Sequence, residues 1–416
     1  MINLRELDRK WQILWGVLGV LGLIGLGLRL TEGLKITNLT SYVSWGLWIA
    51  FDIYFVGLSA GSFLLSSMIF IFRLEKFERI GRLALFTALV TLICALTSAW
   101  FDIGHMERFY KVFLYPHFSS MMVWVIFLYS LYFIVLLLEL RLVLRKELVA
   151  LAAEKNLVGK IANLFLFGNH DTSKEALEKD EQTLRKFGMA GVPLALGFHG
   201  GMGALFGVVA ANPYWHSAVT PIYFVIGALL SGVAFLCIVL YLFWEERDAY
   251  FEEVIKSLKN IVLGLLIVDF IFEWAEFSIA FWGGNPEHTV AFKLILFGPY
   301  WYVFWIFHLG LGVFLPVYLL SKKESTISQI VTACALIAVT FMAVRLNIVI
   351  PGLSFERFEG IENAFVQPRL SFHYMPSLEE WLASIFVIWM GLTIFYLGAR
   401  YFPLLHSENS SSGKED

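Results

Sequence analysis

Charge is what this 416-residue chain has least of: only 16% of its residues are Asp, Glu, Lys or Arg. A soluble domain carries roughly 25%. With 58% hydrophobic residues and a mean hydropathy of +0.72, the chain is excluded from the water-soluble globular class. Cysteine is equally scarce. Cys94, Cys237 and Cys334 lie singly within apolar stretches. No CxxC or longer run therefore offers an iron–sulfur or structural zinc site, and no metal is expected. Such isolated thiols pack as small apolar side chains. The net charge of −3 offers no basic surface for nucleic acid.

What the chain does have is long apolar runs. A bilayer core about 30 Å thick needs roughly 20 apolar residues in a helix. Ten runs qualify: Trp11–Leu30, Trp45–Phe72, Leu83–Asp102, His117–Leu140, Met189–Ala211, Ala218–Trp244, Ile261–Trp282, Pro299–Leu320, Thr326–Ile350 and Trp381–Phe402. The expected fold is an all-α polytopic membrane protein of about ten transmembrane helices. Arg5, Arg9 and Lys10 before the first run resemble the start of a signal peptide. The run is too long for one and lacks a small-x-small cleavage site, so it reads as a retained helix.

The basic residues set the orientation. With the N-terminus inside, inner segments hold 23 of the 31 Lys and Arg, nine of them between Arg141 and Lys186. Outer segments hold eight, counting Arg345. The positive-inside rule then predicts an inner-membrane protein with both termini in the cytoplasm. The inner loop 141–186 is mixed in charge and predicts a surface helix, and the tail 407–416 predicts disorder.

An internal repeat divides the chain. Ile53-Tyr54-Phe55-Val56 leads to Ser59-Ala60-Gly61 on the second run, and Ile222-Tyr223-Phe224-Val225 leads to Ser231-Gly232 on the sixth. The two runs share a direction, which predicts two parallel four-helix bundles, spans two to five and six to nine. The expected parts are a flanking helix in 1–44, a first bundle in 45–211, a second in 212–350, and a last helix with its outer loop and tail in 351–416.

Ionisable residues inside hydrocarbon are costly and mark pathways, ligand sites or buried pairs. Asp269, Glu273 and Glu276 on the seventh run are spaced i, i+4, i+7, so they share one helical face. They predict either a proton relay or a charged packing pair, with Arg345 at a depth to neutralise Glu276. A second set gathers toward the outer end: Asp52, Asp102, His105, Glu107, Arg108, His117 and His216, with His199 nearer mid-membrane between Phe198 and Gly200. It predicts either interfacial solvation or a lipid-accessible pocket for a proton-carrying redox ligand.

Several segments carry a resemblance. They are Ser44-Trp45-Gly46-Leu47-Trp48-Ile49-Ala50-Phe51-Asp52 with Gly57-Leu58-Ser59-Ala60-Gly61, Asp102-Ile103-Gly104 before Arg108, and His199. Further on come Tyr214-Trp215-His216-Ser217 with Pro221-Ile222-Tyr223-Phe224, then Tyr374-Met375-Pro376-Ser377-Leu378-Glu379-Glu380 leading to Arg400-Tyr401-Phe402-Pro403. In this order the chain resembles the NrfD-type family, the membrane subunits of polysulfide reductase-like redox complexes, and within it the ten-helix branch.

The resemblance implies a subunit that binds menaquinone or another quinone and pairs with an extracytoplasmic ferredoxin-like iron–sulfur subunit. It also implies further catalytic or cytochrome subunits. The quinone would sit in the first bundle near the outer face, with Asp102, His105 and His199 as its acid–base groups and Trp45, Asp52 and Arg108 around it. Glu107 and the seventh-span stripe would move protons. The chain departs from its relatives at Trp124 and Leu205, where they carry carboxylates. Three other classes stay open at this point, one of them a purely structural anchor. A secondary transporter shares parallel repeats and buried charges. A haem b cytochrome needs two facing histidines, for which His199 and His308 are the mid-membrane pair.

Overall fold

A computed structural model describes residues 9–72, 77, 80–244, 247–365, 367–402 and 404. Arg5, Pro403 and the tail 407–416 lie outside the described residues. Among these residues every regular element is a helix. In hydrocarbon each backbone N–H and C=O must be satisfied within its own segment, and a helix does this.

Among the described residues nine helices are long and apolar enough to cross a bilayer, which makes the chain an integral membrane protein. They are α1 (Arg9–Glu32), α2 (Leu47–Phe72), α3 (Gly81–Asp102), α4 (Met121–Val143), α7 (Lys174–Gly207), α8 (Thr220–Phe243), α11 (Val303–Leu320), α12 (Ile327–Val349) and α13 (Leu378–Tyr401). The remaining expected span falls on α9 (Ala249–Trp282), a 34-residue helix whose apolar part carries Asp269, Glu273 and Glu276. Short helices α5 (Arg145–Ala152) and α6 (Leu157–Leu166) fill the predicted inner loop, and α10 (Pro286–Phe297) follows α9.

Capping residues move several ends beyond the apolar runs. Ser173 accepts from the Ala176 N–H, so α7 begins 15 residues before Met189 and carries a charged extension. Thr326 with Gln329, and Ser377 with Glu380, form reciprocal capping boxes that start α12 and α13. Hydropathy is blind to these polar turns.

Helix α2 is the hub. It packs on α3, α7, α8 and α12, while α4 closes the first group against α3 and α7. Helices α8, α9, α11 and α12 pack as a second group, and α1 lies on α13, which lies on α3. The repeated glycines form the seam between the groups. A side chain at Gly61 would strike the Ala228 carbonyl, and one at Gly232 would stand 2.6 Å from the Gly61 Cα. Small residues let the two repeat helices approach backbone to backbone. In α11, residues Val303–Phe314 form a π-helix, a rare winding found mostly at functional positions.

Candidate functional site

The connections 33–46, 208–219, 298–302 and 351–377 meet at one end of the molecule. Trp45, just ahead of α2, stacks on Trp215 at 5.9 Å and meets the edge of Phe206 at 5.6 Å. The Trp215 indole donates to the Ile348 carbonyl at 2.7 Å. Only glycine fits beside it, since a Cβ on Gly352 would stand 2.5 Å from that indole nitrogen. Below this aromatic shelf, Tyr129 of α4 donates to the Asp52 carboxylate of α2 at 2.6 Å, both side chains buried. Tyr129 also packs on Phe198, the neighbour of His199.

Asp102 ends α3 and is half-buried. Beside it, Arg29 of α1 donates to the carbonyls of Phe101 (2.8 Å) and Ile103 (2.7 Å), and its guanidinium lies 5.5 Å from the Trp48 ring. A cation on these last carbonyls satisfies the open C-terminus of α3. Glu380 completes the cluster, accepting from Tyr374 Oη at 2.5 Å and from the N–H groups of Ser377 and Asn38 at 3.0 and 3.1 Å. Burial and then the Glu380 charge push the Tyr374 phenol above its usual range, so it keeps its proton and donates. The sequence reading singles out neither Arg29 nor Glu380. The signal was present in Arg29, an ionisable group inside an apolar run.

His105 lies elsewhere. The turn Met106–Arg108 buries Met106, whose carbonyl accepts from Trp100 Nε1 at 3.0 Å, and so turns its charged neighbours outward. His105, Glu107 and Arg108 form an exposed cluster, with Glu107 3.2 Å from His105 and 3.4 Å from Arg108. The Glu107 backbone N–H, ahead of the neighbouring His105 and Arg108, holds its carboxyl below the usual range. The expected grouping of His105 and Arg108 with Asp102 and His199 is therefore replaced by a surface ion-pair set. His117 and His216 bond locally, to Ser119 and to the Gly207 carbonyl. Trp124 is exposed and donates to the Phe118 carbonyl, whereas Leu205 packs on the first-bundle core.

His199 is 1% exposed and packs between Phe198 and Phe224. Phe224 also packs on Arg345, fully buried, its guanidinium 4.8 Å from Phe224 and 4.9 Å from Phe341. The expected pairing of Arg345 with Glu276 does not form. Glu276 accepts from Ser217 at 3.0 Å, while the two aromatic rings hold Arg345 on α12.

The acidic stripe of α9 does share one face, as its spacing predicts. Asp269 is buried, and Glu273 and Glu276 line a cleft in the second helix group. His308, at the middle of the π-helical segment of α11, bonds Glu273 at 2.9 Å inside this cleft. Aromatic walls from Tyr214, Tyr223, Phe277, Phe292 and Phe304 enclose the pair, and Trp215 is shared with the Trp45 shelf. An apolar cleft with a few convergent polar groups has the make-up of a ligand or proton-handling site. Glu273 bonds one nitrogen of His308, and Phe304 stacks on its ring at 5.5 Å. Among the described residues no His, Cys, Asp or Glu group has the geometry to hold a metal ion.

Residues 35–356 match the family model described as polysulphide reductase, NrfD. The chain is 36% identical over 397 residues to a selenate reductase subunit of Mesobacillus selenatarsenatis, covering 94% of this chain and 93% of that protein. It is 28% identical over 385 residues to the Hdr-like menaquinol oxidoreductase integral membrane subunit of Archaeoglobus fulgidus, covering 90% and 89%. It is 25% identical over 399 residues to the menaquinone reductase integral membrane subunit of Nitratidesulfovibrio vulgaris, covering 91% and 87%. A helical membrane chain with this repeat seam and these full-length relatives belongs to the NrfD polysulphide reductase family.

Proposed function

We propose that this chain is the quinone-exchanging membrane subunit of a multi-subunit redox complex, passing electrons between menaquinone and an iron–sulfur subunit outside the membrane. Two relatives named for menaquinone, matched over about nine tenths of the chain, carry this reading. The distribution of basic residues supports a cytoplasmic-membrane location with both termini inside, which puts the Trp45 shelf on the outer side with the partner. On this reading the two helix groups are the first and second bundles. No resident haem or metal is invoked.

Quinone turnover moves two electrons and two protons, so the ring needs titratable groups at its oxygens. The ring would lie under Trp45, between Asp102 and His199, with the Tyr129–Asp52 bond as a buried proton store. A hydrogen-bonded acid or base at each oxygen stabilises charge on the ring as electrons pass. The α9 stripe and His308 would then handle protons. A second placement, the ring within the second-bundle cleft, is favoured by that cleft's aromatic walls and its Glu273–His308 pair.

Mutants of the assembled complex separate the two. Losing a hydrogen bond to a charged group costs roughly 1.5–3 kcal/mol, so Asp102→Asn and His199→Ala should each slow quinone turnover by about 10- to 150-fold. His308→Ala should do much less. Normal turnover in both first-bundle mutants, with loss in His308→Ala, would move the ring to the cleft.

A further inference from the structure

At the seam between the two helix groups stand three buried polar side chains whose reactive atoms meet no protein partner. They are His199 (both ring nitrogens), Arg345 (Nε and both Nη) and Asp269 (Oδ1). They are 1%, 0% and 3% exposed. The Phe224 backbone lies nearest to His199, short of a well-formed hydrogen bond. Phe224 packs against both His199 and Arg345, with its ring 6.0 Å from the imidazole and 4.8 Å from the guanidinium carbon. Asp269 is within electrostatic reach of Glu273, His308 and Arg345, and Arg345 within reach of Tyr223 and His199.

Two glycines let α8 and α2 close on the guanidinium. A Cβ on Gly227 of α8 would stand 3.3 Å from Arg345 Nη2, and one on Gly57 of α2 would stand 3.5 Å away. Ser231 faces the same spot, 3.4 Å from the Gly57 Cβ position, but its hydroxyl hydrogen already goes to the Gly227 carbonyl at 2.7 Å. A guanidinium has five N–H donors, and aromatic faces satisfy it only from above and below the plane. Buried polar atoms left over by the protein are met by ordered water, which makes about three hydrogen bonds each.

We propose that His199, Arg345 and Asp269 enclose a small water cluster that passes protons between the two bundles, with Arg345 as its positioning residue. The proposal rests on the reading that quinone chemistry occurs in the first bundle. When quinol is oxidised there, two electrons go to the iron–sulfur partner and two protons to the protein. One proton goes to Asp102 and leaves at the outer end, and the other is taken by a neutral His199 nitrogen, which releases it through the water to the Asp269 carboxylate. Asp269 hands it to the Glu273–His308 pair one turn along α9. Quinone reduction runs the path in reverse. Arg345 keeps its charge throughout and fixes the water and the carboxylate at the crossing.

The test uses the whole complex in sealed vesicles, with a pH-sensitive dye and a soluble menaquinol analogue. Arg345→Gln and Asp269→Asn should keep uncoupled quinol turnover within about threefold while lowering proton movement per quinol at least about tenfold. Arg345→Lys keeps the charge without the planar fork and should recover part of the coupling. A parallel fall in turnover and proton movement, or no change in either, would overturn the inference. Were the Arg345 variants not to assemble, Asp269→Asn decides alone by the same criteria. A wild-type complex that turns over quinol without moving protons would overturn it too. A wild type inert toward quinol would overturn the quinone reading itself.

Discussion

Glu380 carries more of the outer end than any residue chosen from the sequence. Its carboxylate accepts from Tyr374, Ser377 and Asn38, and its backbone carbonyl accepts from the Trp48 indole at 3.2 Å. It thereby ties the starts of α2 and α13 together, and Arg29 does the same for α1 and α3. Glu380→Gln would set an amide NH₂ against a backbone N–H while keeping side-chain volume. Thermal unfolding of the purified complex should show a loss of about 1.5–3 kcal/mol. Turnover per folded complex should stay within about twofold, since Glu380 touches no proposed ring position. A large loss of turnover at unchanged stability would instead place Glu380 in the site.

At the scale of elements, helix existence and the one-sided α9 stripe were legible, because apolar length and i, i+4, i+7 spacing are properties of the chain alone. Helix ends were not, since Ser173, Asp248 and Ser377 cap helices that begin with polar residues ahead of the apolar runs. Partners were not legible either. Arg345 and Glu276 share a similar depth along their helices, but depth says nothing of azimuth, and Arg345 turns toward Phe224 and Phe341. His105 lies away from the expected pocket because a turn that buries Met106 faces its neighbours outward. The glycine seam is the most exacting element contact. Gly61→Leu should separate α2 from α8 and cut the yield of assembled complex. Gly16, which has open space around it, should accept the same change without loss. Equal yields would show that the seam is looser than the backbone contact at Gly61 implies.

The whole molecule is a set of buried polar groups in an apolar frame, and its sidedness decides what each group can reach. A single cysteine placed in the loop 153–156 should be labelled only from the cytoplasm, and one in 358–363 only from outside. Reversed labelling would put the Trp45 shelf on the cytoplasmic side and remove the proposed access to an external iron–sulfur partner. The shared Trp215, which both stacks on Trp45 and lines the second-bundle cleft, makes the two candidate ring positions neighbours. Mutants alone therefore report on them less directly than a covalent mark does.

The most direct test is photo-crosslinking of an azido-menaquinone analogue to the intact complex, followed by peptide mapping. Labelling is expected in 45–52 or 99–103 on α2 and α3, or in 195–206 on α7, suppressed by excess menaquinone. Suppressible labelling confined to 269–277 and 303–308 would contradict the first-bundle placement. Labelling that menaquinone does not suppress anywhere would contradict quinone exchange by this chain.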